Sequence, residues 1–152
     1  MPIFLGYHTT FNIDENSFVK AEINTEYERE MVNYLPTGKT LEFDEISNSL
    51  NNGNLQTNSL NLSRHYKAKN CGKMAIFDKN SNQTTVYYNS KNLPFRLIYS
   101  DGLGYICLEP QTCLANCQNS PFLRSESGFS YVKPNRKVIY KSQIFILKGD
   151  RR

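Results

Sequence analysis

The stretch that decides the fold class is 95-Phe-Arg-Leu-Ile-Tyr-Ser-Asp-Gly-Leu-Gly-Tyr-Ile-Cys-Leu-108. Two runs rich in β-branched and aromatic residues, 95–99 and 105–108, flank the turn Ser100-Asp101-Gly102-Leu103-Gly104. Glycine-bearing turns between such runs predict a β-hairpin. Directly after the second run come Glu109-Pro110-Gln111-Thr112, so a carboxylate stands where a strand leaves its sheet. If residues 105–109 are extended, period two puts Tyr105, Cys107 and Glu109 on one face. Ile106 and Leu108 then face apolar packing. A carboxylate beside a tyrosine and a thiol loses water, which would raise its pKa and suit it to act as a base. A solvent-exposed glutamate at a strand end fits the same residues.

Working outward, the same pattern repeats. Residues 73–77 and 84–88 flank the polar loop Asp78-Lys79-Asn80-Ser81-Asn82-Gln83, a second hairpin signature. Residues 18–23 read as a strand, and 138–147 as a long final one. Leu41, Phe43, Ile46 and Leu50 have partly helical spacing, with Gly53 placed to end a short helix. Residues 26–33 are charged and fit helix or strand equally. Residues 47–61, rich in asparagine and serine, predict a long loop. The whole predicts an antiparallel all-β domain.

With 152 residues the chain is long enough for one domain with a real core. Its net charge of +4 is spread over scattered lysines plus Arg151-Arg152, not the clustered basic stripe of a nucleic-acid binder. No nucleic-acid partner is therefore expected. No apolar run approaches the roughly 20 residues of a membrane span. The N-terminus lacks a basic segment followed by an apolar one, so a cytoplasmic location without membrane association is the default expectation.

The four cysteines, Cys71, Cys107, Cys113 and Cys117, form no C-x-x-C pair. Structural zinc sites usually use such tight pairs, so free buried thiols and no metal are expected. Only two histidines occur, His8 and His65. Either could exchange protons near neutral pH, and either also reads as a structural or surface imidazole.

Longer motifs narrow this. Gly6-Tyr7-His8-Thr9-Thr10-Phe11-Asn12 resembles a motif of the aldose 1-epimerase (galactose mutarotase) family in which a histidine precedes a Phe-Asn pair. Leu35-Pro36-Thr37-Gly38 resembles a turn of one branch of that family. Leu108-Glu109-Pro110-Gln111-Thr112, followed by Asn116 and Asn119, is similar to its C-terminal acidic motif. Gly128-Phe129 and Val132-Lys133-Pro134 resemble the turn before its last strand. In this order the matches cover nearly the whole chain.

The resemblance implies a truncated antiparallel β-sandwich of the galactose mutarotase-like type, with residues 1–152 as a single domain similar to the C-terminal half of a member. Members are roughly twice as long. The other half supplies part of the sheet, an arginine and a further histidine that contact the sugar, and an acidic sugar-binding residue of many members has no evident counterpart. The implied activity is interconversion of the α and β anomers of a free aldohexose, with Glu109 as base and His8 as acid. Phe11, Asn12, His65, Gln111 and Asn116 are the implied sugar contacts, and no cofactor is implied. No arginine cluster marks a phosphate pocket, which favours an unphosphorylated sugar. A non-catalytic carbohydrate-binding domain, or an inactive remnant, is the alternative. Half a sandwich would expose sheet edges, favouring a homo-oligomer or association with the missing half.

Overall fold

The computed structural model describes residues 1–69 and 72–149. Cys71 and the Arg151-Arg152 tail lie outside the described residues. Twelve strands and two short α-helices are present among them, in the order β1 (Pro2–Ile3), β2 (Thr9–Asn12), β3 (Ser17–Ala21), β4 (Ile23–Arg29), β5 (Pro36–Leu41), α1 (Glu45–Asn52), β6 (Asn61–Ala68), β7 (Lys73–Asp78), β8 (Gln83–Asn89), β9 (Phe95–Asp101), β10 (Tyr105–Gln111), α2 (Arg124–Ser127), β11 (Ser130–Tyr131) and β12 (Ser142–Lys148). A six-stranded sheet runs β2-β10-β9-β6-β4-β5 and a four-stranded sheet runs β12-β8-β7-β3. β1 and β11 form a small ribbon apart from both. Every pairing is antiparallel.

The two larger sheets pack face to face, because alternate residues of each are apolar. Ile23, Leu62, Tyr66, Ile98, Ile106 and Leu108 come from the larger sheet, and Val19, Ala21, Met74, Ile76 and Tyr87 from the smaller. All are buried in one continuous core. The expected orientation of β10 is therefore observed, with Ile106 and Leu108 inside and Cys107 and Glu109 on the opposite, outer face. Both predicted hairpins form, as β7–β8 and β9–β10.

Three boundaries differ from the sequence reading. The strand expected over 18–23 is two strands, because the chain crosses from the small sheet to the large one at Glu22. Ala21 and Ile23 both reach the same core, from opposite sheets. The final strand begins only at Ser142, which pairs with Asn89 where β8 ends, so 138–141 have no strand to join. The loop expected over 47–61 opens with most of α1. Asp44 caps that helix by accepting the Ser47 amide, and Gly53 ends it at φ 82° with its N–H on the Ser49 carbonyl. The ambiguous segment 26–33 resolves as the end of β4 followed by a turn.

Beyond β10 the chain folds back over the outer face of the large sheet. Leu114 and Phe122 of this return segment pack on Tyr27 and Phe95 in a second, smaller apolar cluster. Gly128 is required here. It sits at φ 78°, and a Cβ would meet Phe95 Cε2 at 2.4 Å and the Thr112 carbonyl oxygen at 2.7 Å.

Candidate active site

The pairing of β2 with β10 extends past β2 itself. Thr9 lies opposite Leu108, and Gly6 bridges to Gln111, so the intervening register puts His8 opposite Glu109. The Tyr7 N–H donates to the Pro110 carbonyl (3.1 Å) and holds the segment there. His8 Nε2 stands 3.3 Å from Glu109 Oε1. The two members differ sharply in solvation: the His8 side chain is 69% exposed and that of Glu109 is 8% exposed. The imidazole can therefore meet a ligand from solvent while the carboxylate stays fixed.

The surroundings of Glu109 act in opposite directions. Burial pushes its carboxyl above the ordinary glutamate range. His8, the Gln111 side-chain amide and Arg29 pull it back, without cancelling the effect of burial. Gln111 Nε2 donates to Glu109 Oε2 at 3.2 Å, leaving Oε1 for His8. Cys107, one position earlier on the same face, is buried, and its thiol lies 3.3 Å from the Thr10 hydroxyl. Burial raises its pKa as well.

Next to this pair the outer face opens into a cleft of about 750 Å³, with Arg29, Tyr34, Ser63, Arg64, Tyr99 and Asp101 among its lining residues. Tyr99 is the cross-strand neighbour of Cys107, so the cleft begins one strand away from the His8–Glu109 pair, neither member of which lines it. Arg29 Nη2 donates to the Ser63 carbonyl and hydroxyl, both at 2.5 Å, and its guanidinium lies 5.3 Å from the centre of the Tyr34 ring. A smaller cleft of about 470 Å³ lies on the other side, lined by Gly6, Gln111, Leu114 and Asn116 among others.

The structure thus brings His8, Glu109 and Gln111 together and puts Asn116 on a cleft that Gln111 shares. The remaining candidates are elsewhere. Phe11 pairs with Ile106, contacts the Tyr87 ring and packs against the core, away from the outer face. Asn12 is exposed at the far end of β2, opposite Tyr105. His65 is on the outer face but only 1% exposed, enclosed edge-on by the rings of Tyr27 and Phe95. Neither of its nitrogens has a hydrogen-bond partner, and burial followed by the charge of Arg29 holds its pKa down to about 3. It is a neutral, desolvated ring. Arg29 was not singled out in the sequence, although reading 26–29 as a strand would have put it on the face of Tyr27. Cys107, Cys113 and Cys117 are free and buried, as expected.

No protein-family model matches the sequence. Solved structures do. A galactose mutarotase-like protein from Clostridium acetobutylicum superposes with a TM-score of 0.88 at 27% identity, over 98% of this chain and 48% of its own length. The chain has the fold of the galactose mutarotase-like proteins and is similar to about half of one. A protein from Escherichia coli K12 provisionally named an aldose 1-epimerase shares the fold with a TM-score of 0.78 at 12% identity, over 97% of this chain and 51% of its own. The mutarotase-like chain therefore spans about half the length of the structures it matches. Among its described residues no helix is long and apolar enough to cross a membrane.

Proposed function

We propose that the chain carries the proton-transfer pair of an aldose 1-epimerase, acting on a free aldohexose at the mouth of the 750 Å³ cleft. One observation carries this reading. An exposed imidazole faces a buried carboxylate at 3.3 Å, with the carboxylate's other oxygen held by an amide. Glu109 Oε1 removes the proton of the C1 hydroxyl while His8 Nε2 gives one to the ring oxygen. The C1–ring-oxygen bond breaks and the C1 carbonyl forms. Rotation about C1–C2 and reversal of both transfers then yields the other anomer. A positioned acid or base contributes on the order of 10²–10⁴-fold each. Gln111 fixes the carboxylate, and Arg29 adds a smaller pull towards its ionised form. Asn116 offers a side-chain amide to sugar hydroxyls at the second cleft. With His65 enclosed, we assign it to the support of the outer face; a direct sugar contact would need the Leu114–Phe122 cover to open.

Polarimetry of freshly dissolved α-glucose or α-galactose with purified protein tests the reading. Glu109→Gln is expected to lower the catalysed rate at least 10²-fold while the circular dichroism spectrum stays unchanged, because the amide accepts no proton. Equal rates above background for both proteins would remove Glu109 from the mechanism.

A second reading rests on β12. Ile144, Phe145, Ile146 and Leu147 are 51%, 47%, 63% and 56% exposed along a strand paired on one side only. With half of a mutarotase-like length in hand, we read this edge as the seat of the complementary half. If that half is required for sugar binding, the chain alone binds or turns over sugar weakly. Sugar-induced thermal stabilisation without mutarotation would favour a non-catalytic binding role.

A further inference from the structure

We propose that His8, Cys107 and Glu109 form a binding site for a thiophilic divalent cation of the Zn²⁺ class. An imidazole nitrogen, a thiol sulfur and a carboxylate oxygen from these residues lie within 4.8 Å of one another, the one such group among the described residues. His8 lies 99 positions before Cys107 and 101 before Glu109, so no compact ligand motif announces them. The register brings them together instead. His8 and Thr10 on one strand face Glu109 and Cys107 on the next, in two successive cross-strand pairs on the outer face.

The distances suit a four-coordinate ion. With metal–nitrogen and metal–oxygen bonds near 2.0–2.1 Å, tetrahedral geometry separates the two ligand atoms by about 3.3 Å. His8 Nε2 and Glu109 Oε1 are already 3.3 Å apart. The sulfur lies within 4.8 Å of the other two ligand atoms, so it must approach by at most about 1.2 Å to reach tetrahedral spacing. The exposed His8 ring is free to follow it. Outer hydrogen bonds that orient ligands are also in place. Gln111 Nε2 holds Glu109 Oε2 at 3.2 Å, leaving Oε1 available, and the Thr10 hydroxyl stands 3.3 Å from Cys107 Sγ. Arg29 is the opposing charge, but its guanidinium is bonded to Ser63. A cation here binds the carboxylate and takes the Cys107 sulfur as a thiolate, its proton released to solvent on binding. Three protein ligands leave one open position for water. If the proton-transfer reading holds, the metal would occupy both groups and act as an inhibitor that sugar competes with.

Co²⁺ titration of the purified chain, followed by absorption spectroscopy, tests the site without relying on activity. The expected result is a thiolate-to-cobalt charge-transfer band and the visible bands of a tetrahedral centre, saturating at one ion per chain. Cys107→Ser should abolish the charge-transfer band, and a Cys113→Ser/Cys117→Ser double variant should keep it. His8→Ala, at an exposed position that leaves the fold intact, should weaken binding at least 10-fold, and Thr10→Val about 10-fold. No charge-transfer band, or one that survives Cys107→Ser, overturns the site. A band lost in the Cys113/Cys117 variant overturns it too, since those thiols would then hold the ion. Cobalt binding without mutarotation would leave this inference standing and sink only the catalytic one; mutarotation without cobalt binding would do the reverse.

Discussion

Glu109 and Arg29 set the pH response of the proposed chemistry. Glu109 works as a base only when ionised, and burial holds its carboxyl above the usual glutamate range. The catalysed rate should therefore fall with decreasing pH at a higher pH than an ordinary glutamate would give. Arg29 favours the ionised form, so Arg29→Gln is expected to move that acid limb to still higher pH. Carbon-13 NMR titration of the Glu109 carboxyl checks the same shift without substrate. A limb unmoved by Arg29→Gln would mean that the guanidinium does not reach the carboxylate. His65 behaves oppositely. Its ring stays neutral in the fold down to about pH 3, whereas in the unfolded chain it takes up a proton near pH 6.5. Between those values the unfolded state binds more protons, so this residue removes stability as pH falls from about 6.5 towards 3. His65→Leu, of similar volume, eliminates two unpartnered nitrogens. It should raise stability near neutral pH by about 1–3 kcal/mol and flatten the acid dependence, both read from urea melts. A destabilised variant would show that His65 has polar partners in solution.

At the level of elements, α1 depends on Asp44. Its carboxylate caps the helix through the Ser47 amide and meets Arg64 of β6, which also reaches Glu26 of β4. The Arg64 hydrogen bond is the largest influence holding the Asp44 carboxyl down to about 2. Asp44→Ala should cost about 1–2 kcal/mol in a urea melt. The difference from wild type should be full above about pH 4 and shrink as pH falls towards 2, because protonation of Asp44 removes the same contacts in the parent. Elements such as this one also show what sequence can reveal. The β9–β10 and β7–β8 hairpins were legible because period two and turn residues are local signals. Of the helical spacing read over Leu41, Phe43, Ile46 and Leu50, only Ile46 and Leu50 fall in α1, which Gly53 ends; Leu41 closes β5 and Phe43 precedes the helix. The break at Glu22 was not legible, since Val19, Ala21 and Ile23 alternate as one strand would and only the second sheet reveals the switch. The His8–Glu109 pair came from motif resemblance. The enclosure of His65 came from the rings of Tyr27 and Phe95 on neighbouring strands, and the approach of Arg29 from the pairing of β4 with β6, which no local pattern encodes.

Over the whole molecule, the imbalance lies in the two sheets' widths and edges. The Thr9 hydroxyl and the Phe11 ring of β2, the last strand of the large sheet, contact Tyr87 of β8. β12 lies one strand further out, and its Ile144 and Ile146 are more than half exposed. Apolar side chains on both faces of an open edge strand are what natural sheets avoid unless something pairs there. The occupant we propose is the other half of a mutarotase-like sandwich, because the Clostridium acetobutylicum structure is matched over 48% of its length. Covering these four half-exposed side chains is worth about 1 kcal/mol each, in addition to the main-chain pairing of a new strand. Mixing the chain with the unmatched half of that protein should give a 1:1 complex by light scattering. Phe145→Lys or Ile146→Lys should abolish it, because a charge at that edge can no longer be buried. A dimer of the chain with itself, dissolved by the same substitutions, would instead assign the edge to a second copy. A chain that stays monomeric in the mixture would show that β12 is tolerated bare.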